Sequence, residues 1–244
     1  TLNVGNGALF VTAGMMLTGQ TATVGIVGVN IRANVGGAGP AVDHAAPGAL
    51  SLLNCEVSGG LQIRGSGAVV TVDACYLTGG SFAPNAGTVA VRQCLLNAMT
   101  ASFHAVNGQY DLFSCRVQGC GPMGHGGTST PHGGFRVDNC WIANGTGNGI
   151  TYGGGARSRI QNTRIDACAG DAISADGCGN LSLGTVTGTG SAGYGARVKN
   201  GAQVHPTAVT VAGASGEVLL GATPYTWSQA PQVDAATFSR FGAS

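Results

Sequence analysis

Charge is scarce in this chain. Only 9% of its 244 residues are Asp, Glu, Lys or Arg, and the formal net charge is +1. A face that grips nucleic acid needs a basic excess, so that class of partner is excluded. Aromatic residues are few, at 6%, and a core must therefore be built from Val, Ile, Leu, Ala and Cys. No apolar run approaches the roughly 20 residues that span a bilayer, so no membrane partner is expected. No basic segment followed by an apolar stretch marks a signal peptide, although the chain opens at Thr1 in mid-pattern. A helical hydrophobic period is missing from every longer stretch. Glycine, by contrast, is abundant at 44 residues. It has no Gly-X-Y period, which excludes collagen. With 43% hydrophobic residues and almost no net charge, the chain is not a disordered one.

What is present is a phrase that returns. Leu52-Leu53-Asn54-Cys55-Glu56-Val57 is followed by Val72-Asp73-Ala74-Cys75-Tyr76-Leu77 and Val91-Arg92-Gln93-Cys94-Leu95-Leu96. Leu112-Phe113-Ser114-Cys115-Arg116-Val117 and Val137-Asp138-Asn139-Cys140-Trp141-Ile142 continue it. Two further copies, centred on Thr163 and Gly184, replace the cysteine. The centres at 55, 75, 94, 115, 140, 163 and 184 are separated by 20, 19, 21, 25, 23 and 21 residues. A fixed grammar at a nearly fixed period is an internal repeat.

The centre and the aliphatic residue two positions later share one face of a strand. The aliphatic residue three positions earlier cannot share that face in a straight strand, so a bend must intervene. Asn54, Asn139 and Asn162 stand just before three centres, and Asn tolerates a left-handed backbone. A third strand follows about ten residues after each centre, as at Gly149–Tyr152, Asp171–Ser174 and Tyr194–Val198. The expected fold is all-β: a right-handed, single-stranded parallel β-helix of about 7–9 turns of roughly 21 residues, with three short strands per turn. Ile26, Val29 and Ile31 repeat the spacing with Gly28 at the bend, which places an earlier, provisional rung there. Gly36–Pro40 reads as a turn. The 119–134 stretch, rich in Gly, Pro and His, reads as a loop on the longest step. The division expected is 1–204 for the β-helix and 205–244 for a non-repetitive tail that caps it or contacts a partner.

Eight cysteines raise the question of disulfides. Five fall on one phase of the repeat, where stacked side chains all point the same way and their Cβ vectors do not converge. They read as a ladder of small buried thiols, in keeping with synthesis in a reducing cytosol. Cys120 and Cys168 each sit five residues after a centre and read as a second packing column, in preference to a metal site with His125 and His132. His44, His104 and His205 are isolated. Asp138, Asp166, Asp171 and Asp176 are the carboxylates to weigh for acid–base cleavage of a glycan, which needs two of them side by side. In their sequence context they read as corner and surface residues. Trp141 and Tyr76 follow a centre on the outward phase and are the candidates for a carbohydrate-contacting face. The sequons at Asn144 and Asn180 carry little weight without a secretory signal. No catalytic residue, cofactor or metal is assigned.

Asn139-Cys140-Trp141-Ile142, Gly147-Asn148-Gly149-Ile150, Asn162-Thr163-Arg164-Ile165 and Gly170-Asp171-Ala172-Ile173 resemble the repeats of right-handed parallel β-helix, pectate-lyase-like proteins. The likeness extends back to about residue 50. The ending, residues 193–204, 213–218 and 221–227, resembles the ends of β-helical structural proteins of tailed bacteriophages. That resemblance implies a non-enzymatic virion component, either a capsid decoration protein or a head or tail spike or fibre. It further implies a homotrimer that touches other capsid or tail proteins, assembled in the host cytoplasm. The alternatives it leaves are a carbohydrate-binding adhesin or a polysaccharide depolymerase, with host surface polysaccharide as the partner.

Overall fold

Each copy of the phrase is one turn of a parallel β-helix. The computed structural model describes residues 7–11, 15–17, 23–33, 40–84, 87–100, 104–105, 108–125, 134–153, 157–177, 180–200 and 202–220. Among them there is no helix. Most of the described turns carry three strands, and equivalent strands pair in parallel from turn to turn, so three ladders run along the axis, the third in two stretches, up to Phe82–Pro84 and from His104–Ala105 onward. Strands such as Ala49–Leu53, Val69–Asp73, Thr88–Arg92 and Gln109–Phe113 form the first ladder. Glu56–Ser58, Tyr76–Thr78, Leu95–Asn97, Arg116–Gln118 and Trp141–Ala143 belong to the second. Leu61–Ile63 and Phe82–Pro84 begin the third within the regular turns, and Ile150–Tyr152, Ile173–Asp176 and Tyr194–Lys199 continue it. About seven regular turns result, preceded by a rung at Val24–Ala33, the provisional one of the sequence.

The odd spacing in the phrase is resolved at the first corner. Val70 and Val72 point inward from one strand while Val69, Thr71 and Asp73 do not. Ala74 then takes a left-handed backbone with φ of 50°, and Cys75 points inward again. The same position holds Gly28, Asn54, Gln93, Ser114, Asn139 and Asn162, all with positive φ. Corner amides are not orphaned. The N–H of Asn54 donates to Asp73 O at 3.1 Å, Ala74 to Arg92 O at 3.0 Å and Gln93 to Phe113 O at 3.0 Å. From Gly28 to Asn139 the hydrogen-bond ladder thus passes around the bend, as a buried backbone requires.

A second left-handed corner separates the second and third ladders at Gly79, Ala98, Gly119, Asn144, Ala167 and Gly190. The residue that follows it forms the second inward column, where Met99, Cys120 and Cys168 are buried. The interior is a single hydrophobic cluster of aliphatic and thiol side chains, with Phe82, Tyr110, Phe135 and Tyr152 fully enclosed.

The last copy of the phrase lies two residues from its expected place. Thr163 pairs in register with Val186, so Val186, fully buried, continues the column and Gly184 does not. Leu181 and Leu183 are both buried. A slip of two keeps every side chain on its own face, so the alternation alone does not fix the register there. In this turn the strand Asn180–Ser191 runs through the first corner without a left-handed residue.

The 119–134 stretch is not a loop throughout. Met123–His125 is a third-ladder strand pairing with Ile150–Tyr152, and Cys120 and Met123 sit in the core. The intervening residues 126–133, with His132, lie outside the described residues. Beyond 204, Val204–Gly213 and Gly216–Leu220 still pair in register with the preceding turn. The remainder of the tail, 221–244, lies outside the described residues.

Candidate functional site

The thiol column comes first because it organises the chain. Cys55, Cys75, Cys94, Cys115 and Cys140 are buried and free. The amide of Cys55 donates to Cys75 Sγ at 3.3 Å, that of Cys75 to Cys94 Sγ at 3.4 Å, and that of Cys115 to Cys140 Sγ at 3.5 Å. Each thiol also donates across its corner to the carbonyl two residues back, as Cys94 does to Arg92 O at 3.0 Å. Thr163 makes the same bond through Oγ1, to Gln161 O at 2.7 Å. Cys and Thr exchange in the column because each is small and carries one donor for that carbonyl, while Val29 and Val186 fill it by packing alone. A hydrogen bond with Cys115, together with burial, pushes the Cys94 thiol up to about 12, and one with Cys140, again with burial, does the same to the Cys115 thiol. Protonated thiols are poor nucleophiles and poor metal ligands. Among the described residues, no three His, Cys, Asp or Glu side chains gather as a metal site.

The four weighed aspartates are dispersed and individually engaged. Asp138, at the end of a first-ladder strand, accepts from Gln161 Nε2 and from Asn162 Nδ2. Asp166, at the end of a second-ladder strand, accepts from Trp141 Nε1 at 3.1 Å, from Arg164 Nε and from the amide of Thr189 at 3.2 Å. Asp176, at the end of a third-ladder strand, pairs with Lys199 Nζ at 2.9 Å. Partial burial pushes its carboxyl up, but the bonds from Lys199 and Asn200 outweigh that and hold it below its ordinary value.

Asp171 is the most buried of the four, at 4% exposure. Its Oδ1 accepts the amide of Tyr194 at 2.8 Å, and Arg197 closes on it with Nε 2.9 Å from Oδ2. Space for it comes from Gly193, where an added Cβ would lie 2.4 Å from Asp171 Oδ1. One turn earlier Asn148 Oδ1 accepts the amide of Asp171 at 2.9 Å, over a cradle that Gly170 leaves open. The Gly-Asn and Gly-Asp phrases thus build a polar staple between turns. None of the four is held by another of them, and the geometry gives each a structural task.

On the outer face of the second ladder one column reads Glu56, Tyr76, Leu95, Arg116, Trp141 and Arg164 in register. Trp141 is 39% exposed. The Arg116 guanidinium lies over its ring, 4.3 Å from the centroid. Asp166 Oδ2 takes both the indole N–H and Arg164 Nε, which fixes the ring in place. A groove at this corner is lined by Asn139, Trp141, Asn162, Arg164 and Thr187 among others. Tyr76 is less available; it is half-buried and its hydroxyl accepts from Asn97 Nδ2 at 3.1 Å. Arg116 and Arg164 were not singled out in the sequence, although both stand directly after a centre, on the phase of Trp141. The same holds for Arg136 and Arg159, four residues before their centres, which face the solvent on the first ladder.

His44 is a core residue whose Nε2 lies 2.8 Å from Gly48 O. The side chains of His104 and His125 lie outside the described residues. Compared with known families, residues 82–216 match the family described as "Right handed beta helix region". No curated protein and no solved structure matches the chain.

Proposed function

The chain belongs to the right-handed β-helix family, and from that premise we propose that it is a non-enzymatic structural protein of a tailed-phage virion. The observation that carries the non-enzymatic part is the engagement of Asp138, Asp166, Asp171 and Asp176, each by its own donors at a different point around the turn. Glycoside cleavage asks for a pair of carboxylates about 5–10 Å apart across a scissile bond. The phage assignment rests on the resemblance of residues 193–227 to the ends of phage β-helical structural proteins. Sparse charge over a Gly-, Ser- and Thr-rich surface suits symmetric packing against identical neighbours, which supports a homotrimer seated on capsid or tail proteins. The test is reconstitution. Particles from an infection lacking the chain are mixed with purified protein, and saturable binding that resists washing is expected. Failure to bind particles at any stage of assembly overturns the reading.

A second reading, a carbohydrate-binding adhesin, is favoured by one observation: the exposed, immobilised Trp141 beside Asn139, Asn162 and Arg164. A fixed aromatic edge flanked by amide and guanidinium donors suits a sugar ring and its hydroxyls. Arg116 already occupies one ring face, so the sugar would pack against what remains. Binding to a panel of host-surface glycans that is lost in W141A supports this reading, and a blank panel removes it.

A further inference from the structure

Four residues before each centre, the first ladder presents one outward side chain per turn. That column reads Ala90, Asp111, Arg136, Arg159, Ser182 and His205, each in register with the next. Arg136 and Arg159 are thus stacked one turn apart, about 4.8 Å along the axis. Like charges facing one another across neighbouring strands destabilise a sheet. Asp111 offers partial relief from one side only, with Oδ1 4.0 Å from Arg136 Nε. Among the described residues Arg159 enters no ion pair. Both guanidiniums and Ser182 line a depression of about 450 Å³. Asp138 shares its rim, with its two oxygens already taken by Gln161 and Asn162.

We propose that this depression binds a doubly charged tetrahedral oxyanion, phosphate or sulfate, bridged between Arg136 and Arg159 with Ser182 as a further donor. The planar guanidinium fork matches such an oxyanion better than any other side chain. An anion here completes the alternation that Asp111 and Arg136 begin and removes the repulsion between the two arginines. The depression is roomier than one ion needs and falls in the range of small-molecule sites, which leaves space for a sugar carrying the anion as an ester. The proposal does not depend on the chain being part of a virion.

Isothermal titration of the intact protein with inorganic phosphate and with glucose 6-phosphate, in chloride buffer of matched ionic strength, tests it. Saturable binding is expected with at least one of them. R159Q and R136Q should each weaken it at least tenfold, R159K less, and R92Q, on the same ladder but in another column, should leave it unchanged. Tighter binding of the sugar phosphate identifies an esterified anion as the ligand, and equal binding identifies the free ion. No saturable heat with either probe, or R159Q binding like the wild type, overturns the proposal.

Discussion

Three alanines hold left-handed backbones at positions where other turns use glycine or asparagine. Ala74 has φ of 50° at the first corner, and Ala98 and Ala167 have φ of 50° and 51° at the second. All three side chains are exposed, so their methyl groups contribute no burial. A left-handed conformation costs a residue with a Cβ roughly 1–2 kcal/mol. Glycine escapes that strain but loses about 0.5–1 kcal/mol to the greater freedom of its unfolded chain. Replacement by glycine should therefore stabilise by about 0.5–1 kcal/mol per site. The corner amides keep their acceptors, Arg92 O, Gln118 O and Thr189 O, because glycine retains the N–H. At separated sites such gains add. The triple variant A74G/A98G/A167G should gain about 2 kcal/mol and melt roughly 4–8 °C higher by calorimetry. The reverse change is the control. At Gly119, with φ of 60°, an added Cβ meets nothing within 4 Å, so G119A isolates the strain and should lose about 1 kcal/mol. A lower melting point for the triple variant, or a neutral G119A, would refute the corner argument.

The raised thiols make stability fall in alkali. For a group whose folded pKa is raised, the contribution is complete below the unfolded value, 9.0, and is lost as pH rises toward about 12 for Cys94 and Cys115. Urea midpoints should drop between pH 9 and 11, by less in C94T, which keeps the corner donor as Thr163 does; identical slopes would count against the thiol column. At Asp176 the sign is opposite. Its carboxyl is depressed, so its contribution is present above the unfolded value, 3.8, and disappears as pH falls through the folded one. D176N should flatten the loss of stability between pH 5 and 3, and an unchanged acid limb would contradict the pairing with Lys199. At Gly188 an added Cβ would stand 1.8 Å from the backbone oxygen of Ile165, and backbone in a packed turn has nowhere to move. G188A should cost at least about 3 kcal/mol in unfolding measurements, and a cost under about 1 kcal/mol would mean the turns are more loosely stacked than described.

The turns were legible because the phrase combines a period with a change of face, and only a bend reconciles the two. Corners at Asn54, Asn139 and Asn162 could be read because asparagine advertises the left-handed backbone. Ala74, Gln93 and Ser114 occupy the same corner without that signal, since hydrogen bonds to the neighbouring turn impose the conformation there. The misplacement at Gly184 has a related origin: period-two alternation is blind to a slip of two, and only pairing with Thr163 settles it. Trp141 was recognisable as outward-facing. Its partners Arg116 and Arg164 stand a full turn away in sequence, so they become neighbours only once the register is known. Asp171 read as a corner or surface residue in its sequence context, whereas its burial, its glycine cradle and its clamp by Arg197 are contacts between successive turns that the local sequence does not display.

The most direct measurement of the central claim is the copy number of this chain in purified, salt-washed phage particles, by mass spectrometry against labelled peptides. A structural virion protein that assembles as a homotrimer predicts retention in a multiple of three copies per particle, many for a decoration protein and few for a spike. Washed particles without the chain, with all of it left in the soluble lysate, would contradict the account.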